Sequence, residues 1–476
     1  MTARTDAESS SAPAQPAAPG RNRLGLTNLQ MRAVTIAIVA PSIIASGASS
    51  AKVATLLSFA ATFISGIEWS GLKRHLKVAL LMSMDNPAST TPGFTSSTPT
   101  TRLLPGRDFV ARPLPPSPLV EGVPLYPEEY PLPVPPLSLY TVVKHLGWSL
   151  LAVTAYYGEE VFLIVFQLFF LIFVVVTLTA HNRLELKVGS AVDRLSHQFS
   201  AANQAAGYSK DDEICELKPP LPLVDPDEPT EVRVAKAQRN YFLSMELRMV
   251  AERQPTEQFL DFCLDIFGIL WVTGIVVPIL VYQIPKVGVP WLASTMIGNF
   301  MNDIAALVVG RSLKVLRERY GAVYDVTGET PAAGAGKRPL REATWAVRFI
   351  LRGPHHLYRA ISPNKSVEGA VAGVVMNAVT FSGLMFWIYT WVVDAPAAEI
   401  IHPRFQHVGL WLVLGVVMGV LGVCGDLLQS LLKRTARVKD AGFIIPGHGG
   451  MLDRIDGLLL VFPFMYCSMR TISKMS

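Results

Sequence analysis

Long apolar runs constrain this chain more than any other feature of its sequence. Each run is about 17 to 25 residues long, the length at which a helix crosses a hydrocarbon layer of about 30 Å. Half of the 476 residues are hydrophobic and only 17% are charged, a balance too apolar for an ordinary soluble domain. The sequence therefore predicts an all-α, polytopic membrane bundle of about nine transmembrane helices, with long polar inserts in the cytoplasm.

The predicted spans lie at residues 32–48, 52–69, 139–157, 160–180, 259–283, 289–310, 367–394, 406–428 and 456–471. The turns between them on one side of the membrane are all short, and every long polar segment falls on the other side. Because Lys and Arg concentrate in those long segments, the positive-inside rule places them in the cytoplasm, together with the amino terminus.

The polar segments also predict how the chain is organised. Residues 84–137 are dense in Pro, Ser and Thr, a composition that favours extended conformations over a packed core. This insert is interpreted as a linker, and a docking site for a Pro-recognising partner is the alternative. The other divisions are a disordered tail at 1–30, membrane helices at 31–83 and 138–180, a polar cytoplasmic segment at 181–258, and a catalytic membrane region at 259–476 with a basic insert at about 312–360.

The charge argues against a nucleic-acid-binding protein, and the cysteine content argues against a protein built on CxxC pairs. The net charge is only +5, and the basic residues lie in loops and form no continuous stripe, so no nucleic-acid partner is expected. The four cysteines are far apart and form no CxxC pair, which indicates reduced residues that pack between helices.

Carboxylates and cations gather where a predicted span meets water, from Gly425 to Asp456. On a helix, Asp426, Ser430 and Lys433 or Arg434 recur at three- and four-residue spacing, so one face presents a carboxylate, a hydroxyl and two cations. Charges at the edge of a hydrocarbon layer are expensive, and so many in one stretch indicate a site. For any one of them alone, a helix cap is the simpler alternative.

A second acidic pair, Asp453 and Asp456, begins the last apolar run. Magnesium usually takes one or two protein carboxylates and completes its shell with waters and phosphates, so three aspartates are sufficient to hold it. Between the two acidic groups, Gly449 and Gly450 form a turn that permits close approach of a phosphate to the backbone.

Together these residues resemble the phosphatidate cytidylyltransferases, also called CDP-diacylglycerol synthases. The family pattern is matched in order and spacing by Ser430, Lys433, Arg434, Lys439, Asp440, His448, Gly449, Gly450, Asp453, Arg454 and Asp456. Upstream, Asn302-Asp303 and the Ser362 to Lys365 stretch resemble two further family elements. Gln429 departs from the pattern, where Glu is usual.

The resemblance implies transfer of a cytidylyl group from CTP to phosphatidic acid, which yields CDP-diacylglycerol and pyrophosphate. It implies Mg²⁺ held by Asp426, Ser430, Asp453 and Asp456. It implies a catalytic set of Asp426, Lys433, Arg434, Lys439, Asp440 and Arg454. It implies substrate-binding residues Asn302, Asp303, Ser362, Lys365, His448, Gly449 and Gly450. It further implies a homodimer in a bacterial plasma membrane, or in a eukaryotic endomembrane or organelle membrane, with the active site facing the cytoplasm.

Other interpretations of the same residues stay open. A CTP-dependent lipid kinase, such as a polyprenol kinase, would use a similar site to move the γ-phosphoryl group. A non-catalytic membrane scaffold would act through its Pro-rich insert. For Asn302 and Asp303 the alternative role is a polar contact between two helices. For Lys365 the alternative is a side chain that snorkels to the membrane surface.

Overall fold

A computed structural model describes residues 50–85, 119–120, 123–124, 130, 139–176, 229–235, 237–239, 242, 255–284, 288–321, 323–325, 338–339, 343–392, 408–442 and 449–472. Within these residues, seven helices are long and apolar enough to cross a membrane. The prediction of an all-α, polytopic membrane bundle is confirmed. The predicted tail at 1–30 and the predicted span at 32–48 lie outside the described residues.

The helices follow one another with short strands between them. In chain order they are α1 (Ala51–Asp85), α2 (Leu139–Tyr157), α3 (Glu159–Val176), α4 (Pro255–Thr273), α5 (Val277–Leu280), α6 (Gly288–Gly321), α7 (Trp345–Arg352), α8 (Val367–Trp387), α9 (Val408–Thr435) and α10 (Leu452–Ile472). The strand pairs are β1 (Leu119–Val120) with β2 (Val123–Pro124), β3 (Tyr324–Asp325) with β4 (Arg338–Pro339), and β5 (His356–Tyr358) with β6 (Ser362–Ser366). The second pair is parallel and the other two are antiparallel.

The eight spans predicted from residue 52 onward all coincide with helices. The span predicted at 139–157 has the bounds of α2, although α2, which contains Lys144 and His145, is not among the seven candidate spans. Two helices run well past their predicted ends, α1 to Asp85 and α6 to Gly321. Both extensions are more polar than the spans they continue.

Ion pairs with neighbouring helices explain the extension of α1. Two of its lysines and the one lysine of α2 face a row of acids spaced four residues apart on α4, an arrangement named here the paired cluster. Its members are Lys73, Lys77, Lys144, Glu257, Asp261 and Asp265. Five N–O distances of 2.8 to 3.2 Å join them, and their side chains are only 4% to 23% exposed. Matching of every cation by a carboxylate allows this polar stretch to be buried.

Residues of two polar inserts pack beneath the end of α9. Phe242 stacks on His75 of α1 with ring centroids 4.1 Å apart, and Tyr130 meets the same ring edge-on at 5.0 Å. The backbone N–H of Tyr130 also donates to the carbonyl oxygen of Arg437 at 2.7 Å. Part of the Pro-rich insert therefore contributes to the core under the loop that follows α9.

Candidate active site

Helices α9 and α10 touch backbone to backbone at Gly425. A Cβ placed there would overlap the carbonyl oxygen of Asp456 and would lie 3.2 Å from the Cα of Gly457. Glycines allow helices to approach this closely. Asp426, the next residue on α9, and Asp456 are consequently brought to the same place, as the sequence predicted.

Lys365 joins the hairpin β5–β6 to α9. Its ammonium group forms an ion pair with Oδ2 of Asp426, and Ser430 Oγ donates to Oδ1 of the same carboxylate at 3.5 Å. The Lys365 and Asp426 side chains remain 29% and 37% exposed. Two predicted site elements that lie 61 residues apart in sequence therefore meet in one partly exposed place.

Three carboxylates interact electrostatically at this point. Asp303 of α6 is close enough to Asp426, Lys365 and Arg454 for their charges to act on it. Asp456 in turn is within range of the charges on Asp426 and Lys433. Like charges held this close repel each other, so the arrangement favours a bound cation.

Asp453 takes a different position from the other predicted metal ligands. Its Oδ1 accepts from Lys433 Nζ at 2.8 Å, and its Oδ2 accepts from the backbone N–H groups of Ala441 and Gly450 at 2.7 and 3.3 Å. The side chain is 4% exposed. Both oxygens are thus occupied by protein donors, and Asp453 fixes Lys433 and the loop before α10.

Glu68 of α1 is the important residue that sequence reasoning left out of the site. Its carboxylate accepts from the backbone N–H groups of Met451 and Leu452 at 3.0 and 2.8 Å, so it caps the amino-terminal end of α10. A Cβ at Gly450 would lie 2.8 Å from Glu68 Oε2, and one at Gly442 would overlap Oε1. The sequence shows Glu68 as a charge that closes a predicted span, but its partners are more than 380 residues away.

Asn302 joins helices. It is buried, its Nδ2 donates to the carbonyl oxygen of Gly419 on α9 at 3.1 Å, and a Cβ at Gly373 on α8 would overlap its Oδ1. This is the helix-joining alternative that the sequence left open for Asn302. Asp303 beside it lies on the exposed side of α6 and belongs to the site.

The other predicted residues surround this centre. Ser362 begins β6 opposite Tyr358. Gly449 has a φ of 81°, a left-handed conformation that glycine adopts readily, and a Cβ there would lie 3.2 Å from Asp440 Oδ1. The side chains of Arg434, Lys439 and Arg454 are exposed. His448 lies outside the described residues.

The described residues contain no group of three or more His, Cys, Asp or Glu side chains placed to hold one metal ion. The four predicted ligands therefore do not form a single cluster in this arrangement, in which the cation beside Asp426 is the Lys365 ammonium. The donors nevertheless suit magnesium, because carboxylate and hydroxyl oxygens are its usual protein ligands. Asp426, with Asp303 and Asp456 in electrostatic range, is where such an ion fits.

Fold and site together define an integral membrane protein that carries an acidic and basic site at one end of its helical bundle. Residues 350–472 match the model of the cytidylyltransferase family. This matched part contains Ser362, Lys365 and every predicted site residue from Asp426 onward. The carboxyl-terminal region of the chain is thus similar to the cytidylyltransferase family, in agreement with its motifs.

Bacterial relatives match a stretch of the chain of similar length. The phosphatidate cytidylyltransferase of Staphylococcus saprophyticus is 38% identical over 117 residues, and that of Bacillus subtilis is 40% identical over 114 residues. The phosphatidate cytidylyltransferase of Staphylococcus haemolyticus is 33% identical over 117 residues. Each match covers 24% of this chain and 37% to 39% of the relative. The chain therefore spans less than half the length of the curated relatives that it matches.

Proposed function

We propose that this protein is a phosphatidate cytidylyltransferase, which transfers the cytidylyl group of CTP to phosphatidic acid. The observation that carries the proposal is the contact between Lys365 and Asp426, which unites two separate motifs of the matched region at one partly exposed point. The names of the relatives supply the substrates, and the site supplies the charges that such substrates need.

In this reaction an oxygen of the lipid phosphate attacks the α-phosphorus of CTP. A new phosphorus–oxygen bond forms as the bond to the departing pyrophosphate breaks, so no covalent enzyme intermediate is required. The attacking oxygen is already ionised near neutral pH and requires no general base. The protein's task is to align two anionic substrates and to offset their combined charge.

Basic side chains around the site are suited to that task. Lys365 and Arg454 lie within electrostatic range of Asp303, and Lys433 is held in place by Asp453. Arginine grips phosphate oxygens in a bidentate way, whereas lysine supplies a compact charge. Arg434 and Lys439 are exposed at the same end and complement the remaining phosphates.

Asp426 and Asp456 are the residues that would hold magnesium, with Ser430 and Asp303 beside them. When bound, the ion would neutralise phosphate charge and stabilise the leaving pyrophosphate. Lys365, which now pairs with Asp426, would be released to the phosphates of the substrates. Asp453 is assigned to positioning, because both of its oxygens accept from protein donors.

The location of the site suits one substrate in the bilayer and one in water. It lies at the end of α9 and the beginning of α10, where two candidate spans leave the membrane. By the distribution of basic residues this end faces the cytoplasm, where CTP is available. The homodimer implied by the family resemblance remains part of the proposal, and the mass of the protein in detergent tests it.

One assay tests the proposal and its alternatives. Purified protein in detergent receives phosphatidic acid, a polyprenol, magnesium and CTP labelled either at the α- or at the γ-phosphorus. Label from the α position in the lipid phase, with release of pyrophosphate, is the expected result. Lipid labelled only from the γ position would identify a lipid kinase, and unlabelled lipid in both reactions would favour a scaffold. Chelation of magnesium is expected to abolish the α-label transfer.

A further inference from the structure

A short amphipathic helix lies beside the site, in the segment that the sequence predicts only as a basic insert. Helix α7 begins after Thr344, whose hydroxyl accepts from the backbone N–H of Val347 at 3.4 Å. Its inner side carries the buried Leu351, and its outer side carries Trp345, 75% exposed, and Phe349, 43% exposed. Exposed aromatic rings of this size at one spacing of four residues indicate a surface that meets something other than water.

The helix is rigidly attached to two membrane helices. Arg317 of α6 donates through Nε to the carbonyl oxygen of Ile350 at 2.8 Å and pairs through Nη2 with Glu368 of α8 at 3.0 Å. His355 approaches the same Glu368 oxygen at 2.9 Å and stacks on Phe349, with centroids 5.2 Å apart. The orientation of the exposed rings is therefore determined by α6 and α8.

This attachment places α7 at the level where the lipid-facing surfaces end. On α6 the exposed apolar side chains of Ile304, Leu307 and Val308 are followed by the exposed Arg311, and beyond it Val315 is an isolated exposed valine. On α8 the exposed apolar row begins with Val367 and continues through Val371. The contacts that hold α7 are made by Arg317, nine residues after Val308, and by Glu368, next to Val367, so α7 lies near the end of these exposed apolar rows.

The charge of this segment is of one sign. Residues 343–366 contain Arg348, Arg352, Arg359 and Lys365 and no Asp or Glu. Arg348 and Arg352 are three and seven residues after Trp345, and so they share its side of the helix. Among the described residues, none of the three guanidinium groups pairs with a carboxylate. Aromatic rings beside arginines are the combination that interfacial helices present to anionic lipids.

We propose that α7 and the hairpin β5–β6 form an interfacial platform, which seats Trp345 and Phe349 at the headgroup boundary and binds anionic phospholipid headgroups through Arg348, Arg352 and Arg359. The hairpin continues directly to Lys365, so headgroups gathered by the platform lie next to the candidate site. The platform rests on the proposed function only for the identity of its substrate lipid. Its affinity for membrane anions is an independent property.

The position of the rings is tested in vesicles of phosphatidylcholine whose acyl chains carry bromine either near the headgroup or deep in the bilayer. The fluorescence difference between the wild type and Trp345→Phe isolates Trp345, and we expect it to be quenched most by the shallow bromine. Trp387, exposed at the opposite end of α8, provides the matched control Trp387→Phe. A Trp345 difference signal that is quenched by aqueous iodide and not by lipid bromine would overturn the proposal.

The arginines are tested by native mass spectrometry of the detergent-solubilised protein with phosphatidylglycerol, an anionic lipid that is not the proposed substrate. We expect binding to weaken about fivefold for each arginine in the series Arg352→Gln, Arg348→Gln/Arg352→Gln and the triple variant with Arg359→Gln. The control is Lys52→Gln, which removes an exposed cation at the amino-terminal end of α1. Equal binding by the wild type and Arg352→Gln, or retention of the wild-type affinity by the larger variants, would refute the platform.

Neither experiment uses CTP or turnover, so failure of the platform and failure of the proposed activity are distinguishable. If the transferase activity is confirmed, steady-state kinetics provide a further test of the platform. The arginine variants are then expected to raise the KM for phosphatidic acid dispersed in neutral detergent severalfold and to leave kcat unchanged. An equal fall in kcat and no change in KM would contradict a gathering role.

Discussion

Two charged regions at the same end of the bundle handle their charges differently. In the paired cluster, three lysines meet three carboxylates across α1, α2 and α4, and all six side chains are largely buried. At the candidate site, Asp426 pairs with Lys365, yet Asp303 and Asp456 add further negative charge around it, and the pair stays partly exposed. Complete pairing stabilises the fold, whereas surplus charge beside water is available to ligands.

The physical basis of this contrast is desolvation. A buried charge without a partner is strongly destabilising, so the paired cluster tolerates no surplus. A partly exposed site keeps enough water to carry an imbalance until substrates or ions arrive. Substitutions in the two regions should therefore separate activity from stability.

The largest expected effect is on the chemistry of the site. Asp426→Asn removes the charge that would hold magnesium and is expected to lower kcat by about a thousandfold or more. Its melting temperature should stay near that of the wild type, because the substitution also relieves repulsion with Asp303 and Asp456. Turnover of α-labelled CTP and thermal unfolding measure the two quantities. Activity near the wild-type level would remove Asp426 from the proposed ligands.

Breaking the paired cluster should lower the stability of the protein and leave kcat unchanged, the reverse of the result expected for Asp426→Asn. Asp265→Ala leaves Lys73 and Lys144 with fewer partners in a buried place and is expected to destabilise the protein by about 3 kcal/mol. The yield of folded protein and its melting temperature should fall, whereas kcat per folded molecule should not. A matched variant at an exposed acid, Glu318→Gln, should change neither. Selective loss of kcat in Asp265→Ala would show that this cluster also takes part in catalysis.

Asp453 is buried and paired, as the paired cluster is, but it lies next to the candidate site. Asp453→Asn and Lys433→Gln are each expected to lower kcat by about 10- to 100-fold, as loss of a group that orients another usually does. Because Asp453 acts through Lys433, the double variant should lose little more than the worse single variant. Losses that multiply would instead support the original prediction that Asp453 is a metal ligand in its own right.

The smallest effect is expected at Glu68. Glu68→Gln keeps one oxygen for the end of α10 and loses the other, at a cost of about 1 kcal/mol in stability. Activity should fall less than tenfold, and thermal unfolding should show the change more clearly. Glu160→Gln, at an exposed acid, is the control. A loss of activity as large as that of Asp426→Asn would assign Glu68 a direct role.

Local and periodic signals were sufficient for much of this architecture. The bounds of α2 and the meeting of Asp426 with Asp456 follow from hydropathy and from motif spacing. The extension of α1 does not, because Lys73 and Lys77 look like the end of a span until their partners on α4 are known. Hydropathy describes one segment at a time, and these pairs join segments 180 or more residues apart.

The same limit explains what was missed within the site. Asp453 is the right residue type at the right spacing for a metal ligand, but only the folded loop shows that Ala441 and Lys433 occupy its oxygens. Helix α7 escaped notice because a window of membrane length averages over eight amphipathic residues. Magnesium, the homodimer and the role of His448 remain predictions.

The glycine contact between α9 and α10 has a consequence for the protein in different bilayers. Membranes vary by several ångströms in thickness, and helices adapt to them by tilting. Tilt about a point where two backbones already touch moves the distant ends of the helices far more than the pivot itself. Since Asp426 and Asp456 flank that pivot at Gly425, we expect their spacing to be nearly independent of lipid composition.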